Sequence, residues 1–192
     1  MKKKIACVVI ILALNSAPAY AGAPLDMVRV NVDKVLAVLR DKQLGKEAKT
    51  ERLETIYKSM FDEEELSRRA LGRNWKKLNP AQQQEFVDLF RRLLEKAYID
   101  KILDYTNEKV DFTKEIIISP DQAEVQTKVI TSSRQVPIFY RVIMKGGAWK
   151  VYDVVIENVS LVQNYRSQFN SIMAKNTPAQ LLDILRKRVK QK

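Results

Sequence analysis

Trp149–Phe169 reads Trp-Lys-Val-Tyr-Asp-Val-Val-Ile-Glu-Asn-Val-Ser-Leu-Val-Gln-Asn-Tyr-Arg-Ser-Gln-Phe, and its hydrophobic period changes in mid-run. Up to Ile156 the run is rich in Val, Ile, Tyr and Trp, the composition of a buried strand. Beyond it, Val159, Val162, Tyr165, Arg166 and Phe169 recur three or four apart, as on one face of a helix. The block therefore predicts a buried strand that feeds an amphipathic helix. Asn158 stands at the joint and tolerates left-handed backbone angles, and Ser160 is placed to cap the helix by accepting a free amide. Asp153 lies inside the apolar strand, where two roles fit it. It is either a base whose pKa is raised by burial or an acceptor for an arginine or for backbone amides at the joint, and the second role is favoured.

Upstream of this block three more strands are marked by alternation. Val110, Phe112, Ile116 and Ile118 alternate, Ser119-Pro120-Asp121 turns, and Ala123, Val125, Thr127, Val129 and Thr131 alternate again. Gln135 to Met144 makes a third strand, apolar on both faces, and Lys145-Gly146-Gly147 turns tightly into the fourth. Further upstream the period is helical. Val28, Val32, Val35, Leu36 and Leu39 mark one helix, and Gly45 separates it from a second carrying Leu53, Ile56, Tyr57 and Met60. Asp62-Glu63-Glu64-Glu65 puts negative charge in the first turn of a third helix, where the macrodipole favours it, with Gly72 near its end. Asn79-Pro80-Ala81-Gln82 combines a capping box with proline at the first helical position. It opens a long helix reaching about residue 106, and two more helices close the chain, the last starting near Thr177-Pro178. The expected fold class is α+β: a helical half packed on a curved four-stranded antiparallel sheet.

The first residues speak of destination. Lys2, Lys3 and Lys4 precede an apolar run from Ile5 to Leu14, and Ala19-Tyr20-Ala21 has the small-x-small form of a cleavage site. Residues 1–21 are thus read as a secretory signal peptide and 22–192 as a single domain, which makes the mature chain an exported protein. A membrane span needs about 20 apolar residues, twice what this run offers. Cys7 lies inside the run, so the mature chain has no thiol and relies on its core rather than on disulfides.

Charge and absent chemistry narrow the function. The formal net charge is +11, and +8 once the three leading lysines are removed. Export makes nucleic acid an unsuitable partner, so the excess fits anionic lipid or acidic protein surfaces, or simply a basic solvated surface. The basic tail Arg186-Lys187-Arg188-Lys190-Lys192 reads first as a solvated helix end. The chain has no histidine and no glycine-rich phosphate loop, which speaks against an enzyme and leaves no catalytic or metal residues and no cofactor to assign. Asp62 to Glu65 point in several directions along a helix, unlike the spaced ligands of a calcium loop.

A family resemblance rests on two separated sets of residues. Tyr152-Asp153-Val154-Val155-Ile156-Glu157, Val159-Ser160-Leu161-Val162, Asn164-Tyr165-Arg166 and Gln168-Phe169 form one; Leu71-Gly72-Arg73, Trp75, Leu78-Asn79-Pro80 and Glu85-Phe86 form the other. Together they resemble the signature of the toluene-tolerance or MlaC family over about residues 25–189, with Asn158 standing where the family commonly has glycine. The resemblance implies a nuclear-transport-factor-two-like cone with an apolar cavity, and a periplasmic protein of the lipid-asymmetry ABC transport system. Its cargo would be phospholipid, carried between an outer-membrane lipoprotein-porin complex and an inner-membrane complex with an MCE-domain ring and an ATPase. The lipid-binding wall expected from matching motifs and inward faces comprises Leu71, Trp75, Phe90, Leu94, Tyr98, Tyr140, Val142, Tyr152, Val154, Val159 and Tyr165. A hopanoid-type carrier, and an interaction module or chaperone that binds apolar polypeptide segments, are the alternatives; an isomerase or hydrolase built on Asp153 is the third.

Overall fold

The computed structural model describes residues 23–105 and 108–191, so the signal peptide expected at 1–21 lies outside the described residues. The helical half comprises α1 (Pro24–Arg40), α2 (Lys46–Met60), α3 (Glu63–Leu71), a 3₁₀ segment (Gly72–Lys77) and α4 (Pro80–Leu103). The strands follow as β1 (Lys109–Ser119), β2 (Gln122–Ile130), β3 (Gln135–Lys145), β4 (Ala148–Ile156) and β5 (Val159–Ser160), and α5 (Leu161–Met173) and α6 (Pro178–Lys190) close the chain. The sheet is an antiparallel meander in sequence order.

The element boundaries follow side-chain chemistry. Asn79 accepts from the Gln82 amide at 2.9 Å and the Gln82 side chain accepts the Asn79 amide at 3.1 Å, satisfying two otherwise free donors at the start of α4. Thr177 and Gln180 repeat the device on α6. Gly146 (φ 59°) and Gly147 (φ 80°) take the left-handed angles that a tight β3–β4 turn requires.

Two local features correct the simple strand pattern. Glu157 (φ 48°) and Asn158 (φ 67°) are both left-handed and fold the chain back on itself, so Val159 and Ser160 pair with Ile156 and Val155 before the helix begins. The sheet therefore has five strands rather than four. In β1 the register slips between Phe112 and Lys114, where the Thr113 hydroxyl donates to the Gln126 carbonyl at 3.1 Å. A bulge of this kind exchanges the faces beyond it. Val110 and Phe112 stay with the apolar inner row, whereas Ile118 is 57% exposed and leaves the alternation expected of it. Glu115 then stands opposite Val125, and its carboxylate accepts the Leu25 amide at 2.7 Å, tying the start of α1 to the sheet. β1 slips again between Ile117 and Ser119, and a further slip in the β3–β4 pair, between Arg141 and Val142, leaves Tyr152 out of the inward row of β4.

The core forms two main bodies. In the helical one, α3, α4, α5 and α6 enclose Leu71, Phe86, Phe90, Phe169, Leu181, Leu182 and Leu185 almost completely. Its centre is an aromatic clasp in which Phe86–Phe169, Phe90–Tyr165 and Phe90–Phe169 meet edge to face at 5.2, 4.9 and 5.3 Å between centroids. In the other, Val28 and Val32 of α1 lie over Ala123, Val125, Val142, Trp149, Val151 and Val154 on the inner face of the sheet. A smaller cluster of Val38, Leu39 and Leu53 closes the gap between α1 and α2.

Candidate functional site

Asp153 holds the two bodies together. It is 2% exposed, and its Oδ2 accepts from the Ser160 hydroxyl at 2.6 Å and from Arg141 at 3.2 Å while Oδ1 accepts the Val162 amide at 3.0 Å. Ser160 in turn accepts the Gln163 amide at 3.0 Å, so one carboxylate and one hydroxyl satisfy the free donors at the start of α5. Arg141 continues to Glu124 at 3.1 Å. A carboxylate engaged by three donors is a strut between strand and helix, the second of the two roles its position allowed.

The inner face of the sheet has a different character. Beside its buried row lie Leu36, Phe112, Ile138, Tyr140, Ile156 and Leu161, all apolar in body and all only partly buried. Tyr140 is the most telling. Burial pushes its phenol up to about 12, yet the residue keeps accessible surface. Tyr140 thus sits on a partly covered apolar face, unlike the closed helical core. Register places Tyr140 between Val125 and Val154, with Ile138 next to Ile156, so these residues form one apolar strip across β2, β3 and β4.

The residues expected to form a single lipid wall divide between these regions. Leu71, Phe90, Leu94 and Tyr165 are buried in the helical core, and Trp75 and Tyr98 pack half-buried against it. Tyr140, Val142 and Val154 belong to the inner face of the sheet. Tyr152 is set apart by the bulge: the Arg69 guanidinium lies 4.0 Å from its ring centroid, and its hydroxyl donates to Gln122 at 3.4 Å. Val159 sits in β5 and is 55% exposed. Phe112, Ile138, Ile156 and Leu161 complete the strip and were not singled out from sequence. Ile138 was visible as one face of a strand apolar on both sides, but which face meets α1 depends on the bulges.

Two clefts open elsewhere on the surface. One, of about 370 Å³, is lined by Lys58, Phe61, Asp62, Glu63, Lys145 and Lys150; the other, of about 380 Å³, by Arg68, Arg69, Gly72, Trp75, Lys76 and Arg166. In the first, desolvation raises the Glu63 carboxyl above its ordinary value, and Glu63 Oε1 is buried without a hydrogen-bond partner. Among the described residues no group of acidic, histidine or cysteine side chains could hold a metal ion, and no helix is long and apolar enough to cross a membrane.

Comparison with known proteins accords with this arrangement. The sequence pattern of the MlaC protein family matches residues 29–187, most of the chain. The chain belongs to the MlaC family. It is 29% identical over 102 residues, 53% of its length and 47% of the relative's, to the toluene tolerance protein ttg2D of Pseudomonas putida. It is 26% identical over 112 residues to the intermembrane phospholipid transport system binding protein MlaC of Haemophilus influenzae, covering 56% of this chain and 52% of that one. Each match spans about half the length of the relative concerned. The fold is shared with the phospholipid-binding protein of Ralstonia solanacearum, solved in complex with a phospholipid, at a TM-score of 0.81 and 24% identity over 88% of this chain and 97% of that one.

In this MlaC-family chain the two separated signature sets are one contact in space. The Arg166 Nε donates to the Arg69 carbonyl at 2.8 Å, beside Gly72, whose φ of 58° suits a residue without a side chain. Asn74 donates to Asn170 at 2.8 Å, fixing the 3₁₀ segment to α5. The two signature sets thus meet where α3 and the 3₁₀ segment pack on α5, while the apolar strip draws on residues outside them as well.

Proposed function

We propose that this chain is a periplasmic, non-catalytic phospholipid carrier that holds acyl chains on the inner face of its sheet. The observation that carries the reading is the partly buried apolar strip around Tyr140, Ile138, Ile156, Phe112 and Leu161, set in a fold shared with a protein solved with bound phospholipid. The MlaC family membership supports delivery between an outer-membrane lipoprotein-porin complex and an inner-membrane MCE-domain ABC transporter complex. Physical chemistry constrains how such a carrier works. At about 0.8 kcal/mol per methylene, a chain of roughly 15 methylenes gains on the order of 12 kcal/mol on leaving water. Spontaneous release into water is then negligible, so transfer takes place while the carrier is docked, between apolar environments of similar affinity. Asp153 serves the fold in this account. Gentle purification of the exported chain, followed by lipid extraction and mass spectrometry, is expected to yield phospholipid in stoichiometric amount; protein that is well folded and consistently free of lipid overturns the reading.

A further inference from the structure

The cleft between α3, the 3₁₀ segment and α5 has a charge imbalance that the lipid reading does not use. Arg68 and Arg69 share one carboxylate, that of Glu65, at 2.6 Å each. Arg166 directs its Nε to a neutral carbonyl, and neither Arg166 nor Lys76 has a carboxylate partner among the described residues. The other surface cleft is a useful contrast: its cations and acids are mixed, and Lys145 is held by Asp62 at 2.8 Å. That cleft mixes three lysines with two acids, whereas the cleft beside Trp75 is lined by four cations and no acid.

The geometry points to an acidic segment of a partner protein as the occupant of this cleft. Its volume, about 380 Å³, accommodates a few side chains, and a concavity of that size favours a projecting segment over a flat lipid surface. Half-buried Trp75 supplies an apolar wall beside the guanidiniums, and tryptophan and arginine are the side chains that most often anchor protein interfaces. The frame is preformed, because Asn74–Asn170 and Arg166–Arg69 lock the 3₁₀ segment against α5. Docking here leaves the inner face of the sheet untouched, so this inference stands whether or not the carrier reading holds.

The test uses the exported chain with a synthetic oligoglutamate peptide as probe, followed by Trp75 fluorescence over the constant background of buried Trp149. Lys76→Glu alters an exposed side chain without described partners, and Arg166→Gln removes the guanidinium itself. Lys190→Glu, at the end of α6, makes the same charge change as Lys76→Glu away from the cleft. Binding that weakens with salt and falls about tenfold or more in Lys76→Glu and Arg166→Gln, but not in Lys190→Glu, supports the inference. Absence of binding, or equal loss in all three variants, overturns it. So does tighter, cleft-dependent binding to phosphatidylglycerol vesicles than to the peptide, which assigns the cleft to a membrane surface. Unchanged thermal unfolding of Lys76→Glu separates loss of docking from loss of fold.

Discussion

Phe90 and Tyr140 are both aromatic residues inside this protein, and their surroundings differ. Phe90 is 1% exposed and meets Tyr165 and Phe169 edge to face; Tyr140 keeps accessible surface although protein surrounds its phenol. The helical core interlocks side chains from four helices, whereas the inner face of the sheet has α1 over part of it and apolar residues left half-covered. A filled core stabilises the fold, and the partly covered apolar face is where the proposed cargo would sit. Substitutions in the two regions should therefore have opposite signatures.

The largest effect on stability is expected at Phe169, where truncation to alanine opens the aromatic clasp and costs about 4 kcal/mol, seen as a lower urea midpoint. The lipid carried per folded molecule should stay the same. Asp153→Ala strands the Val162 amide, the Ser160 hydroxyl and Arg141, at a cost of about 3 kcal/mol by the same measurement. If that variant instead keeps its stability, the strut role fails. Ile138→Ala, on the half-covered strip, is expected to cost less than about 1 kcal/mol while changing lipid occupancy, the reverse of Phe169→Ala.

A smaller effect concerns pH. Desolvation raises the Glu63 carboxyl above 4.5 in the folded chain, so the folded state takes up this proton more readily than the unfolded one. The sign follows: Glu63 contributes a destabilisation at neutral pH that is relieved as pH falls through the raised value toward 4.5. Glu63→Gln should flatten stability against pH in that window, as measured by thermal unfolding across it. Glu65, whose carboxyl Arg68 and Arg69 hold below the ordinary value, acts oppositely and loses its contribution as pH falls through its folded value.

Much of the architecture was legible in the sequence because its signals are local. Asn79 and Gln82, Ser160, Gly146 and Gly147, and the left-handed Asn158 each act over a few residues, and each marks a boundary found in the structure. The bulges were not legible: neither Thr113 nor the end of β1 between Ile117 and Ser119 carries a mark of the register shift there, and Ile117 and Ile118 are both exposed. The same limit applies to the site. Periodicity gives the face of an element but not its depth, so Phe90 in a closed core and Tyr140 on a partly covered face looked alike. The clasp itself left a trace, since Phe86 and Phe90 on α4 and Tyr165 and Phe169 on α5 are each four apart, matched for facing helices.

The most direct test of the central claim compares lipid retained by two variants. Ile138→Trp adds bulk to the half-covered strip, and Phe90→Leu loosens the helical core. Native mass spectrometry of the two folded proteins is predicted to show lipid lost from Ile138→Trp and kept by Phe90→Leu. Lipid kept by Ile138→Trp and lost from Phe90→Leu would contradict the account and place the cargo among the helices.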